Sequence, residues 1–122
     1  MPFRILVADD QDEQLRAVVA LLRGLDAHIA VATSGPDALR QLLEARFDLS
    51  LLDVHMPGLT GIEVLGQLRL MGHPVPSILM TGNPSRELEM AALEMGALTM
   101  LRKPIPADML RIVVERYIHQ RP

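Results

Sequence analysis

The sequence predicts an α/β fold, a doubly wound five-stranded parallel sheet in a three-layer α/β/α sandwich, and three observations predict it. Short continuous apolar runs recur five times along the chain, as expected of strands buried on both faces. Segments with apolar residues at helical spacing separate them. No repeat, linker or low-complexity segment interrupts the alternation, so residues 1–122 read as one domain. Right-handed crossovers between parallel strands then place helices on both faces of the sheet.

Each element has its own signal. Arg4 to Ala8 is the first strand. Leu15, Val18, Val19, Leu22 and Leu25 form one face of the first helix, which Gly24 loosens at its end. Ala27 to Thr33, with Ile29 and Val31, is a weaker second strand. Ser34 is placed to cap the second helix, with Pro36 in its first turn and Asp37 completing a capping-box-like pair. Leu39, Leu42 and Leu43 form its inner side. Asp48 to Leu52 is the third strand. Val54 to Thr60 contains Pro57 and Gly58 and is a loop. The third helix covers Thr60 to Leu70. Pro76 to Met80 is the fourth strand, closed by Thr81-Gly82-Asn83-Pro84. The fourth helix runs from Ser85 to Met95 and stops at Gly96, a good residue just past a helix end. Leu98 to Leu101 is the fifth strand. Pro106 opens a fifth helix that extends to His119.

Composition removes several function classes. At 122 residues the chain is long enough to bury a core without disulfides. Hydrophobic residues make up 49%, which is not a disordered composition. With no cysteine there is no thiol nucleophile, disulfide framework or thiolate-held metal. The net charge is −3 and no basic cluster stands out, which argues against direct nucleic-acid binding. No apolar stretch approaches the roughly 18 to 20 residues that span a bilayer, and the start of the chain has no signal-peptide pattern. A cytoplasmic protein is the expectation.

In an open parallel sheet, ligands bind beyond the carboxyl ends of the strands. The first strand ends in Asp9-Asp10, the third in Asp53, the fourth in Thr81 and the fifth in Lys103-Pro104. Each has an ordinary explanation when taken alone. Asp10 with Glu13 could cap the first helix, Asp53 could open an Asx-turn, Thr81 could cap the fourth helix, and Lys103 could be a solvated charge. The coincidence of all of them on one edge outweighs these readings. Two carboxylates about 5 Å apart repel by about 3 kcal/mol at an effective dielectric near 20. Three acids and one lysine therefore call for a further cation. Magnesium, which takes a few carboxylates together with waters and a phosphate, fits that need. Asp53 lies centrally and is the candidate nucleophile for an aspartyl phosphate. Asp9 and Asp10 are candidate metal ligands, Asp10 the more direct, with Asp53 and the backbone carbonyl of His55 completing the set. Thr81 and Lys103 are placed to meet phosphoryl oxygens.

Across all 122 residues the chain resembles the receiver domain of two-component response regulators. The resemblance is carried by Asp9-Asp10, by Asp53 followed by Met56-Pro57-Gly58 and Gly61, by Thr81-Gly82, by Gly96-Ala97 and by Lys103-Pro104. It implies a flavodoxin-like receiver fold and Mg²⁺-dependent phosphotransfer to Asp53 from a sensor histidine kinase or a histidine phosphotransfer protein. Slow self-dephosphorylation and a cis peptide between Lys103 and Pro104 are further implications. Such a protein assists its own phosphorylation but turns over no separate substrate.

Three features depart from the family pattern. Met100 stands where many members carry an aromatic switch residue, and its flexible side chain can fill the same space. His55 occupies a variable position two residues after Asp53. It is either an inert surface imidazole or, with Asn83, a group overhanging the phosphoryl site. No output domain is expected after the fifth helix, which makes a free-standing receiver the expectation. On that helix Met109, Leu110, Val113, Val114, Tyr117 and Ile118 span about half the circumference, more than one core-facing stripe requires. Ile112 lies outside this arc. Either the helix is buried over a wide arc or, with Met90 and Leu93 on the fourth helix, one flank binds a downstream protein or a second copy through the helix 4/strand 5/helix 5 face.

Three rival functions deserve tests of their own. An aspartate-nucleophile phosphohydrolase usually has a second acid two residues after the nucleophile, where this chain has His55. A degenerate, phosphorylation-independent adaptor sits badly with an intact acidic set. A flavin-binding electron carrier needs a Ser/Thr-rich phosphate loop and stacking aromatics, but acids follow the first strand and the aromatics are Phe3, Phe47 and Tyr117.

Overall fold

A computed structural model describes residues 2–120. In chain order the elements are β1 (Phe3–Ala8), α1 (Asp12–Leu22), β2 (Ala27–Ala32), α2 (Gly35–Glu44), β3 (Leu49–Asp53), α3 (Gly61–Leu70), β4 (Ser77–Thr81), α4 (Arg86–Glu94), β5 (Thr99–Arg102) and α5 (Ala107–Gln120). The strands form one parallel sheet in the order β2-β1-β3-β4-β5. This is the doubly wound α/β/α sandwich that the alternation predicts.

The side chains of the strands divide between two apolar layers because successive residues face opposite sides. Leu6, Ala8, Leu52 and Leu79 pack against α2, α3 and α4 through Leu42, Val64, Leu68 and Ala92. Ile5, Val7, Leu51, Ile78 and Met80 pack against α1 and α5 through Leu15, Val18, Leu22, Leu110 and Val114. β3 and β4 are buried along their whole length, which accounts for their largely apolar sequences. Their two serines, Ser50 and Ser77, meet at 2.5 Å inside the sheet, and Ser77 Oγ lies 2.7 Å from the Val75 carbonyl oxygen.

Helix starts differ in part from expectation. α1 begins after Gln11, which makes no side-chain cap, so neither Asp10 nor an Asp10–Glu13 capping box opens it. Ser34 does cap α2, accepting from the Asp37 amide at 3.2 Å. The Asp37 carboxylate does not complete a box; it accepts from Arg40 and Gln41 one helical turn ahead. The reciprocal box belongs to α3, between Thr60 and Glu63. Ser85, rather than Thr81, caps α4. Gly96 has φ of 86° just past the end of that helix.

Gly61 sets how closely α3 approaches the sheet. Its amide donates to the Val54 carbonyl at 3.0 Å, and a Cβ at this position would lie 2.6 Å from the Asp53 carbonyl oxygen. Only glycine seats the helix start directly beneath that strand end. Gly66, in the same helix, meets only Met95 Sδ at 3.6 Å. Gly61→Ala is therefore expected to destabilise the fold by about 1–3 kcal/mol through overpacking. Gly66→Ala is expected to stabilise it by up to about 1 kcal/mol through helix propensity. Urea unfolding of the two variants checks both signs.

Candidate functional site

Parallel register brings the strand ends level. Ala8 pairs with Leu52, Asp53 with Met80 and Thr81 with Arg102. Asp9 therefore emerges beside the end of β3, and Lys103 follows the last paired residue of β5. By strand alternation, Asp9, Asp53 and Lys103 lie on the α1/α5 side of the sheet, whereas Thr81 shares the opposite side with Leu79 and Met100.

Three carboxylates, from Asp9, Asp10 and Asp53, each offer an oxygen within 4.8 Å of the others. Asp9 is fully buried. Its Oδ1 accepts from the Gln11 amide at 2.9 Å, and its Oδ2 lies 2.7 Å from Lys103 Nζ. Both Asp9 oxygens are thus already engaged within the chain. Asp10 is exposed at the mouth of the cleft. Asp53 is 5% exposed, and its Oδ1 lies 3.3 Å from Lys103 Nζ and 3.4 Å from the His55 amide. The Lys103 ammonium also donates to Gln14 Oε1.

Burial is the main reason the Asp53 carboxyl titrates above its ordinary value of 3.8, and the neighbouring Asp9 charge adds to the rise. Lys103 and the His55 amide pull the other way without cancelling it. Folding therefore disfavours the charged form of Asp53. Its neutral form is the better accommodated one below the unfolded value, and that advantage is lost as pH rises through the raised folded value.

Thr81 is fully buried. Its carbonyl accepts from the Lys103 amide at 2.8 Å, and its hydroxyl oxygen accepts from the Asn83 amide at 3.1 Å. The hydroxyl proton remains available as a donor. His55 is exposed, and with Asn83 it lines the cleft that also contains Asp10, Asp53 and Lys103. Met100 is partly buried against the α2–α4 layer, close to the cluster that Leu88 also joins. The Lys103–Pro104 peptide is cis.

The cleft has a volume of about 780 Å³. Its floor is polar, and one wall is apolar, formed by Val18 and Leu21 of α1 and by Ile105. Sequence reading missed that wall and also missed Gln14. The available signal was positional: Gln14, Val18 and Leu21 follow one another at helical spacing from the acidic pair.

An all-oxygen donor set beside a single ammonium suits a hard divalent cation. Two of its three acids have free capacity facing the cleft, because Asp9 is committed to Lys103 and Gln11. The same place can receive a phosphoryl group, whose oxygens need the lysine, a hydroxyl and backbone amides.

Comparison with known proteins identifies the family. A family model described as "Response regulator receiver domain" matches residues 5–115. The transcriptional regulatory protein ZraR of Salmonella typhimurium is 40% identical over 112 residues, covering 92% of this chain and 25% of ZraR. The transcriptional regulatory protein PrrA of Mycobacterium tuberculosis is 35% identical over 118 residues, covering 97% of this chain and 51% of PrrA. The chain thus spans about a quarter of one curated relative and about half of the other. The receiver domain of the Francisella response regulator 1452 superposes with a TM-score of 0.89 at 29% identity, covering 99% of this chain and 100% of that one. The BeF3-activated DrrB receiver domain superposes with a TM-score of 0.86 at 27% identity, covering 98% of this chain and 99% of that one. The family match begins within β1 and ends within α5, so it takes in every strand that delivers a side chain to the cleft: this chain belongs to the response regulator receiver domain family.

Proposed function

We propose that this chain is a phosphorylation switch in two-component signalling, with Asp53 as the phosphoacceptor. The observation that carries the reading is the approach of three carboxylate oxygens to within 4.8 Å, with one lysine shared between Asp9 and Asp53. A carboxylate oxygen of Asp53 attacks the phosphorus of a phosphohistidine on a sensor histidine kinase or histidine phosphotransfer protein. The P–N bond breaks, its electron pair returns to the imidazole, and that nitrogen takes up a proton. Water later attacks the phosphorus, releasing phosphate and restoring the carboxylate. Such a partner makes the cytoplasm the proposed location.

Asp10, Asp53 and the backbone carbonyl of His55 would hold Mg²⁺, with Asp9 anchoring the assembly from beneath. The ion supplies charge neutralisation for the transferring group. The chain's own residues do the remaining work. Lys103 neutralises one phosphoryl oxygen, the Thr81 hydroxyl donates to another, and the buried floor excludes bulk water from the Asp53 side chain. The added charge biases a two-state surface. Exposed Met90 and Leu93 on α4 and Met109 and Ile112 on α5 support the α4/β5/α5 face as the surface read by a downstream protein or a second copy. Leu110 and Val114 of α5 are core, and Val113, Tyr117 and Ile118 pack partly against it, so the output surface is narrower than the apolar arc of α5.

Incubation with acetyl phosphate and Mg²⁺ is expected to add one phosphoryl group, read by intact mass. Asp53→Asn should remain unlabelled, and Lys103→Ala should label at least roughly tenfold more slowly. Unchanged labelling of Asp53→Asn would remove the phosphoacceptor assignment.

Stability gives a second check. In chelator-containing buffer at neutral pH, Asp53→Asn should melt higher than wild type, because it deletes a carboxylate that folding holds charged at a cost. The difference should vanish as pH falls below about 3.8, where both forms are neutral. Mg²⁺ at about 100 times its Kd should stabilise wild type by about 2.7 kcal/mol and the variant by less.

A further inference from the structure

We infer that Gln14 is a positioning residue for Lys103, a neutral latch that holds the ammonium on the α1 side of the cleft and yields it when Asp53 carries a phosphoryl group. This rests on the reading of Asp53 as phosphoacceptor and adds to it the question of which resting contact must be given up.

An ammonium has three donors. In the resting chain they face Asp9 Oδ2 at 2.7 Å, Gln14 Oε1, and Asp53 Oδ1 at the longer distance of 3.3 Å. With Asp53 the most distant of the three, any movement of Lys103 toward a phosphoryl group on Asp53 lengthens one of the two shorter contacts. Asp9 is the costly one to lose. It is fully buried, its other oxygen is bound to the Gln11 amide, and departure of the lysine would leave a buried carboxylate without its cation. Gln14 is half-buried on the first turns of α1 and lines the same cleft. Its amide carbonyl can turn to cleft water when the lysine leaves.

Charge explains why an amide suits this position. A glutamate here would be a fourth carboxylate, binding Lys103 more firmly and repelling the incoming phosphoryl group. An apolar side chain would leave Lys103 with one short partner instead of two, readier to move toward Asp53. Gln14 therefore sets the bias of the lysine between its resting and phosphoryl-facing positions.

The test is the affinity for beryllofluoride in saturating Mg²⁺, read by ¹⁹F NMR on the full chain. Gln14→Leu is expected to bind about three- to tenfold more tightly than wild type, the range of one net hydrogen bond. Gln14→Glu is expected to bind more weakly by a similar factor. Made on a Lys103→Ala background, Gln14→Leu should change the beryllofluoride affinity by less than about twofold, because its effect runs through the lysine. Circular dichroism melts confirm that the variants fold. Equal affinities for wild type and both variants, or the same effects without Lys103, would overturn the latch alone. A wild-type chain that neither labels nor binds beryllofluoride would overturn the phosphoacceptor reading and the latch with it.

Discussion

Negative charge in excess of its counter-charge, held at the carboxyl edge of the sheet, is the condition on which the rest of this molecule depends. Asp9, Asp10 and Asp53 approach within 4.8 Å, and among the described residues Lys103 is the cation bonded to Asp9 and Asp53. Continuum reasoning makes such a cluster unfavourable unless protons or cations relieve it. The fold relieves it incompletely. Asp9 is satisfied by Lys103 and the Gln11 amide, but Asp53 remains shifted toward its neutral form. Such a deficit would favour a cation in the cleft, and an added phosphoryl group would deepen it. A site neutralised completely by its own lysines would be more stable and would have little left to respond to.

The sheet makes that deficit sustainable. Burial on both faces along β3 and β4 fixes register, because a one-residue slip would send every apolar side chain to the wrong layer. Register in turn fixes where the strand ends fall. Gly61 completes the support by letting α3 pack directly beneath the Asp53 carbonyl, where any larger residue collides. The part of the molecule buried on both faces is thus the part that carries the crowded charges. The exposed α4 and α5 residues lie outside it.

Much of this was legible in the sequence, and the failures have physical causes. Five strands were readable because continuous apolar runs have few alternative uses. The meeting of Asp9, Asp10, Asp53 and Lys103 followed from their places at strand ends, since a parallel sheet brings those ends to one edge whatever the loops do. Helix starts were less legible. Asp10–Glu13 and Ser34–Asp37 both carry capping-box spacing, yet neither forms the reciprocal box, which is present at Thr60–Glu63. Spacing records which side chains can reach, whereas tertiary packing decides where the helix begins and which competing donors a carboxylate meets. At Asp37 those competitors are Arg40 and Gln41. The width of the apolar arc on α5 is compatible with wide burial or with a free flank, and the core takes most of it, since Val113, Tyr117 and Ile118 are partly covered. Gln14 escaped notice because an amide in a first helical turn looks like solvent-facing polarity until the lysine it holds is seen.

The division of side chains between the two faces bears on how a charge change at the cleft would reach the proposed output surface. Asp9, Asp53 and Lys103 lie on the α1/α5 side, while Thr81 and Met100 lie on the other, packed toward α4. The path between them is short. The Thr81 carbonyl binds the Lys103 amide at 2.8 Å, which ties the end of β4 to the residue after β5. Thr81 is the strand-end residue whose backbone belongs to the acidic edge and whose side chain faces the layer that holds Met100. A hydroxyl drawn toward phosphate would vacate space in that layer. An aromatic ring, with few rotamers, would fill such space by a discrete swing, but methionine, with three rotatable bonds, can fill it by degrees. Coupling through Met100 would then be graded rather than two-position, and sharpness in the proposed response would come from association of the α4/β5/α5 face with a partner.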